Sequence, residues 1–208
     1  EAVTSLHKRI QGSYAAISLI SGHGLLAFRD PFGIRPLVIG KRISLENKDE
    51  WMIASESLVL ENNDYEIVRD VYPGEAVFIS NNGEFFSKQC SENPKLFPCA
   101  FEYVYLARPD SIMNGSSVYK ARLKMGDFLA ETIKKRIRSG EVDVVMPIPD
   151  SSRPAAMQVA RQLGIEYREG FFKNRYVGRT FIMPGQQKRK KSVRQKLNAM
   201  SDEFKNKN

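Results

Sequence analysis

Over the first ninety positions apolar and polar residues alternate in short runs, and beyond that point the spacing becomes helical, so the chain reads as two regions of different build. Val3, Leu6 and Ile10 mark one face of a short helix. Residues 13–20 (SYAAISLI) and 25–28 (LLAF) flank the turn-like SGHG at 21–24 and read as a hairpin. Strands are expected at 36–40 and 51–55, on either side of a charged loop. Residues 66–71, 75–80 and 84–88 read as a ladder of strands, with Tyr72-Pro73-Gly74 and Asn81-Asn82-Gly83 at the turns. The polar, Pro-containing SENPKLFP at 91–98 ends this pattern and marks a boundary.

In the second region, residues 101–106 (FEYVYL) have strand composition, and 107–117 read as a loop carrying Arg108 and Asp110. Met125, Phe128, Leu129, Ile133 and Ile137 share one helix face. Residues 142–148 (VDVVMPI) are apolar enough for a strand buried on both faces. Asp150-Ser151-Ser152 follows at once, and then a helix from Arg153 to Leu163 closed by Gly164. A strand, loop and helix in that order belong to an α/β sheet, in which ligands bind at the carboxyl ends of strands.

Composition narrows the class. With 208 residues, 42% hydrophobic and 27% charged, the chain can bury a sizeable core, which excludes wholesale disorder. Of the net charge of +8, residues 188–208 contribute +6, from eight Lys or Arg against Asp202 and Glu203. Such concentration points to a local anionic ligand, a phosphate or a nucleic-acid backbone, and the final KNKN reads as a loose basic tail. Cys90 and Cys99 make no disulfide framework. The sequence holds no signal peptide and no apolar run of membrane length, so the expected compartment is the cytoplasm, with no membrane partner. An initial Glu1 and a polar end suggest a piece of a longer protein.

Three stretches carry candidate chemistry. RDPFGIRPL at 29–37 contains turn residues plus Arg29 and Arg35, which a plain turn does not need. At Asp150-Ser151-Ser152 two readings stand side by side: a phosphate or metal-bound phosphate at a helix N-terminus, or a helix cap by Ser152 with Pro154 in the first turn. Local sequence favours the cap. Residues 173–187 (KNRYVGRTFIMPGQQ) have neither helical nor strand period and read as a ligand-facing loop. His7 and His23 read as surface residues, and Ala54 to Ser57 (ASES) as a weak signal.

Taken in order, RDPFGIRPLVIG, ASES, RDVYPGEAVFI, FEYVYLARPDS, VVMPIPDSS and KNRYVGRTFIMPGQQKRKKSVRQKLNA resemble the glutamine phosphoribosylpyrophosphate amidotransferase family, also called amidophosphoribosyltransferases, over nearly the whole chain. The resemblance implies an α/β and α+β chain. Residues 1–95 would be the end of an N-terminal nucleophile glutaminase, an αββα sandwich, and 96–208 the start of a type I phosphoribosyltransferase α/β domain. It also implies the reaction: ammonia released from glutamine displaces pyrophosphate from phosphoribosylpyrophosphate (PRPP) in the first step of purine synthesis.

By motif position the resemblance makes Ser151 a magnesium ligand, and places Lys173, Tyr176 and Arg179 in a mobile loop that closes over PRPP. It makes Lys196 a cation for the pyrophosphate, and Tyr105 and Ile182 walls of an ammonia passage. Arg29 and Arg35 would be conformational supports. The family's cysteine nucleophile and its acidic-pair phosphate loop fall outside these 208 residues, so no catalytic residue is assigned and the polypeptide alone is expected to be inactive. Magnesium is the implied cofactor. Cys99 matches a position that some members use for an iron–sulfur cluster, but Cys90 and Cys99 lack further ligands, and a plain cysteine is expected. Implied partners are PRPP, glutamine and inhibitory purine nucleotides, in a homo-oligomer when full length. A basic nucleic-acid module is the competing reading, weakened by few interleaved aromatics and no nucleic-acid motif.

Overall fold

The computed structural model describes residues 1–138, 140–178, 180, 182 and 184–208. It divides into two compact units, Glu1–Val118 and Tyr119–Asn208.

In the first unit the amphipathic start folds as α1 (Ala2–Arg9), with basic residues in its last turn, where the helix dipole favours them. The expected hairpin forms from β1 (Ala15–Ile20) and β2 (Gly24–Arg29), paired antiparallel with Ile17 opposite Ala27. Next come β3 (Val38–Ile43), β4 (Asp49–Ala54), the short α2 (Ser57–Glu61), β5 (Glu66–Asp70), β6 (Glu75–Ser80) and β7 (Phe85–Gln89). The strands sort into two antiparallel sheets, β1-β2-β6-β7 and β4-β3-β5. The expected ladder is therefore split at Tyr72-Pro73-Gly74: β5 pairs with β3, and β6 pairs with β2 and β7.

Burial explains the split. Ala27 and Val77 from one sheet meet Ile39 from the other in a core that Leu37 and Val71 complete, and Trp51 stacks on Phe85 with ring centroids 4.7 Å apart. Val3 of α1 covers the outer face of the first sheet beside Phe28, Ala76 and Cys90. Leu60 of α2 covers the outer face of the second with Val38 and Ala54. The order helix, sheet, sheet, helix is the expected αββα stack, although Ile17 and Leu19 of β1 remain exposed.

Residues 91–117 stay with this sandwich. Lys95 and Phe97 donate backbone hydrogen bonds to Pro31 and Phe32. The Glu56 carboxylate accepts from the Arg108 N–H (2.9 Å) and the Ser111 hydroxyl (2.6 Å), and the Ser57 hydroxyl accepts from the Ile112 N–H (2.8 Å). Residues 102–106, expected as a strand, form a turn of π-helix, with the Ala107 N–H bonded to the Glu102 carbonyl at 2.9 Å. Glu102 is buried and paired with Arg35, and this tertiary anchor overrides the strand preference of Tyr103, Val104 and Tyr105. A small hairpin of β8 (Ile112–Met113) and β9 (Ser116–Ser117) follows.

The second unit opens with α3 (Val118–Lys134) and continues through β10 (Val144–Val145), α4 (Arg153–Leu163), β11 (Glu166–Tyr167), β12 (Phe171–Lys173), α5 (Gln186–Lys196), β13 (Leu197–Ala199) and α6 (Ser201–Phe204). β10 and β11 run parallel, joined by α4. α3 meets α4 where Gly126 lets the backbones close: a Cβ there would lie 2.6 Å from the Ala155 carbonyl oxygen. Asp127 pins the crossing by accepting from Gln158 (2.7 Å) and Gln162 (2.8 Å).

Only two residues of the expected 142–148 strand pair as one. A strand buried on both faces needs cover on both, and here Val144 and Val145 are half-buried while Ile148 is 53% exposed. The chain end is less loose than its composition suggested. Asn208 exchanges two hydrogen bonds with Asp143, one backbone to backbone at 3.0 Å and one to its carboxylate at 2.9 Å.

Candidate functional site

The cluster of interest lies where β10 ends and α4 begins. Gly164 closes α4 in a left-handed conformation (φ 67°) and Pro154 sits in its first turn, as the sequence indicates. Ser152 is at the cap position but does not cap: its hydroxyl donates to the Ile148 carbonyl at 2.5 Å. The half-buried turn 149–152 is thereby tied back to its own strand end, leaving the first N–H groups of α4 without a side-chain cap.

Asp150 gathers cations. The Lys173 ammonium, at the end of β12, donates to Asp150 Oδ2 at 2.6 Å, and Arg153 Nη1 lies 3.0 Å from Oδ1. Burial alone would push the Asp150 carboxyl up, but the Lys173 hydrogen bond and the charges of Lys173, Arg153 and Arg175 outweigh it and hold the carboxyl below its ordinary range. Arg153 Nε is also 3.0 Å from Glu169 Oε1, an oxygen that accepts from the Tyr167 hydroxyl at 2.8 Å. Burial, with Glu169 beside it, pushes the Tyr167 phenol up to about 12, so it remains a donor. Lys173, Asp150, Arg153, Glu169 and Tyr167 thus form one chain of contacts at the carboxyl end of a parallel pair.

Of the residues singled out in sequence, Ser151 lies next to Asp150 in the same turn and is half-buried. Tyr176 is fully exposed (100%), and its backbone N–H bonds to Asn174 Oδ1 at 3.0 Å. Lys196 closes the base of this excursion. Its carbonyl accepts from the Asn174 N–H at 2.7 Å, and its ammonium donates to the Gly178 carbonyl at 3.0 Å. Arg179 lies outside the described residues. Ile182 belongs to the second unit and is 77% exposed; Tyr105 belongs to the first, is 54% exposed and packs on Phe101. The stretch 173–187 is less irregular than expected, since it starts in β12 and ends in α5.

A magnesium ion does not fit the residues present. Both Asp150 oxygens face cations, and among the described residues no group of three or more His, Cys, Asp or Glu is placed to hold a metal. Cys90 is buried in the core under α1, and Cys99 is half-buried.

In the first unit, RDPFGIRPL is a structural device. Arg29 is buried and donates to the carbonyls of Arg35 (2.6 Å), Val71 (2.8 Å) and Gly33 (2.7 Å) and to Asn114 Oδ1 (3.1 Å). Asp30, equally buried, accepts from the N–H groups of Phe32, Ile34 and Arg35. His7, expected at the surface, instead lies with Nδ1 2.6 Å from the Tyr14 hydroxyl and stacks on that ring, whereas His23 is exposed in the β1–β2 turn.

Sequence reading missed the ionic role of Asp150. Arg153 three residues on was a legible helical pairing, whereas Lys173, distant in sequence, gave no local signal.

Known proteins place these residues in context. The chain is 56% identical over 207 residues to amidophosphoribosyltransferase of Pseudomonas aeruginosa, and 54% identical to that of Escherichia coli; each match covers all of this chain and 41% of the relative. The enzyme of Schizosaccharomyces pombe is 49% identical, again over the whole chain. The sequence belongs to the amidophosphoribosyltransferase family. It spans about two-fifths of the length of the curated relatives it matches. Among solved structures it superposes, at TM-score 0.76 and 36% identity, on the glutamine PRPP amidotransferase of B. subtilis complexed with ADP and GMP, covering 96% of this chain and 41% of that one. A structure described as the allosteric regulatory enzyme of purine biosynthesis matches at TM-score 0.77. No protein-family model matches the chain. Both expected architectures, an N-terminal nucleophile sandwich and a phosphoribosyltransferase α/β start, agree with these neighbours.

Proposed function

We propose that this polypeptide forms part of an enzyme that transfers glutamine-derived ammonia to PRPP, yielding phosphoribosylamine, glutamate and pyrophosphate, and that its second unit contributes cations to the PRPP site. The observation that carries the reading is the meeting of Lys173 and the Asp150-Ser151 turn at the carboxyl end of β10. In this reading residues 1–95 are glutaminase and 96–208 are transferase. The segment 96–118 counts as transferase in this reading although it packs on the sandwich through Glu56 and Ser57.

Lys173 supplies a charge to a phosphate. The exposed side chains of Tyr176 and Ile182 help keep water from C1, where it would compete with ammonia, and Lys196 is tied to the Gly178 carbonyl beside them in sequence. Ser151 would meet magnesium only together with ligands that the described residues do not include. Purine nucleotides share the transferase pocket as inhibitors, the whole enzyme is a homo-oligomer, and it works in the cytoplasm. Among the described residues no helix is long and apolar enough to cross a membrane.

The competing reading rests on α5, whose cations Lys188, Arg189, Lys190, Lys191, Arg194 and Lys196 face no acid within the helix and which buries no residue. Equilibrium titration separates the two. Saturable PRPP binding that pyrophosphate competes away and random-sequence DNA does not is the expected result. Salt-sensitive DNA binding with no PRPP binding would replace it by the nucleic-acid reading.

A further inference from the structure

Asp150 stands oddly in a site meant for an anion. Its two oxygens are divided between two cations from different elements, Lys173 on β12 at 2.6 Å and Arg153 on α4 at 3.0 Å. Arg175 contributes a third positive charge nearby. A phosphate group presents oxygens in the same divided fashion, and the α4 N-terminus beside it lacks a side-chain cap. The Asp150 side chain is 40% exposed and that of Arg153 also 40%, so the cluster is open to a ligand, and ion pairs this open are weak enough to exchange. Glu169 Oε1 lies 3.0 Å from Arg153 Nε without a hydrogen bond between them, so a negative charge stays beside the guanidinium when the Asp150 carboxylate leaves.

We propose that the Asp150 carboxylate is an internal stand-in for a phosphate group, occupying Lys173 and Arg153 until a phosphorylated ligand takes both cations over. Arg153 is then a ligand-binding residue, and Asp150 is a competitor that raises the ligand concentration needed to fill the site. The proposal rests on the PRPP reading above and adds to it two residues with opposite effects.

Calorimetric titration of the 208-residue chain with inorganic pyrophosphate at neutral pH tests it. Asp150→Asn, and Asp150→Ser as a second variant of different shape, are expected to tighten binding about fivefold, the scale of one exposed ion pair. Arg153→Leu is expected to weaken it by a similar factor. Wild-type binding that both Asp150 variants leave unchanged or weaken overturns the stand-in role alone, and an unaffected Arg153→Leu overturns the assignment of Arg153. Absence of pyrophosphate binding in the wild type and in both Asp150 variants overturns the PRPP reading as well.

Discussion

The ammonium of Lys173 lies 2.6 Å from Oδ2 of Asp150, bringing the end of β12 to the turn that follows β10. This contact makes a site of two stretches that the sequence presents separately. Replacing Lys173 by Ala removes a cation from the ligand and leaves Asp150 with Arg153 alone. A loss of about tenfold or more in PRPP affinity is expected by calorimetry, with partial recovery in Lys173→Arg, since charge-assisted bonds to phosphate are among the stronger ones.

The pair also has a pH signature. Because Asp150 is held below its ordinary range in the folded chain, its contribution is present above the unfolded carboxyl value near 4 and is lost as pH falls through the folded value. At 40% exposure, screening limits it to a few tenths of a kcal/mol. Acid unfolding monitored on the second unit should therefore begin at slightly higher pH in Asp150→Asn than in the wild type.

His7 gives the first unit a different window. Burial under the Tyr14 and Phe28 rings lowers its value, opposed by the Gly74 backbone and the Asp30 charge. The folded state therefore favours neutral imidazole. Stability is full above the unfolded value near 6.5 and declines as pH falls below it, since the unfolded chain binds the extra proton. Melting temperatures between pH 7.5 and 5.5 should fall in the wild type and stay flatter in His7→Phe.

Arg29 should be the costliest polar residue to remove. Its guanidinium serves four acceptors in a buried position, and truncation leaves carbonyls of Gly33 and Val71 unpaired beside Asp30. Arg29→Ala is expected to destabilise the first unit by about 3 kcal/mol or more in urea unfolding, with no direct effect on pyrophosphate binding by the second unit.

These cases show how far the sequence reaches. Hairpins such as β1–β2, and α4 with Pro154 and Gly164 at its ends, are governed by neighbouring residues and were legible. The π-helical turn at 102–106 was not, because a buried Glu102 held by Arg35 decides it from 67 residues away. The same holds for the split between β5 and β6, which follows from which faces the two sheets share. Within the site, Ser151 and Lys173 came from motif resemblance, whereas the role of Asp150 needed the distance to Lys173.

The central claim is that a PRPP site is built at the carboxyl end of β10, and amide chemical shifts locate a ligand directly. Titrating PRPP into the isotopically labelled chain should shift the amides of residues 150–153 and 172–174 together and saturate with a single affinity. Shifts confined to α5, or an unchanged spectrum at residues 150–153, would contradict it.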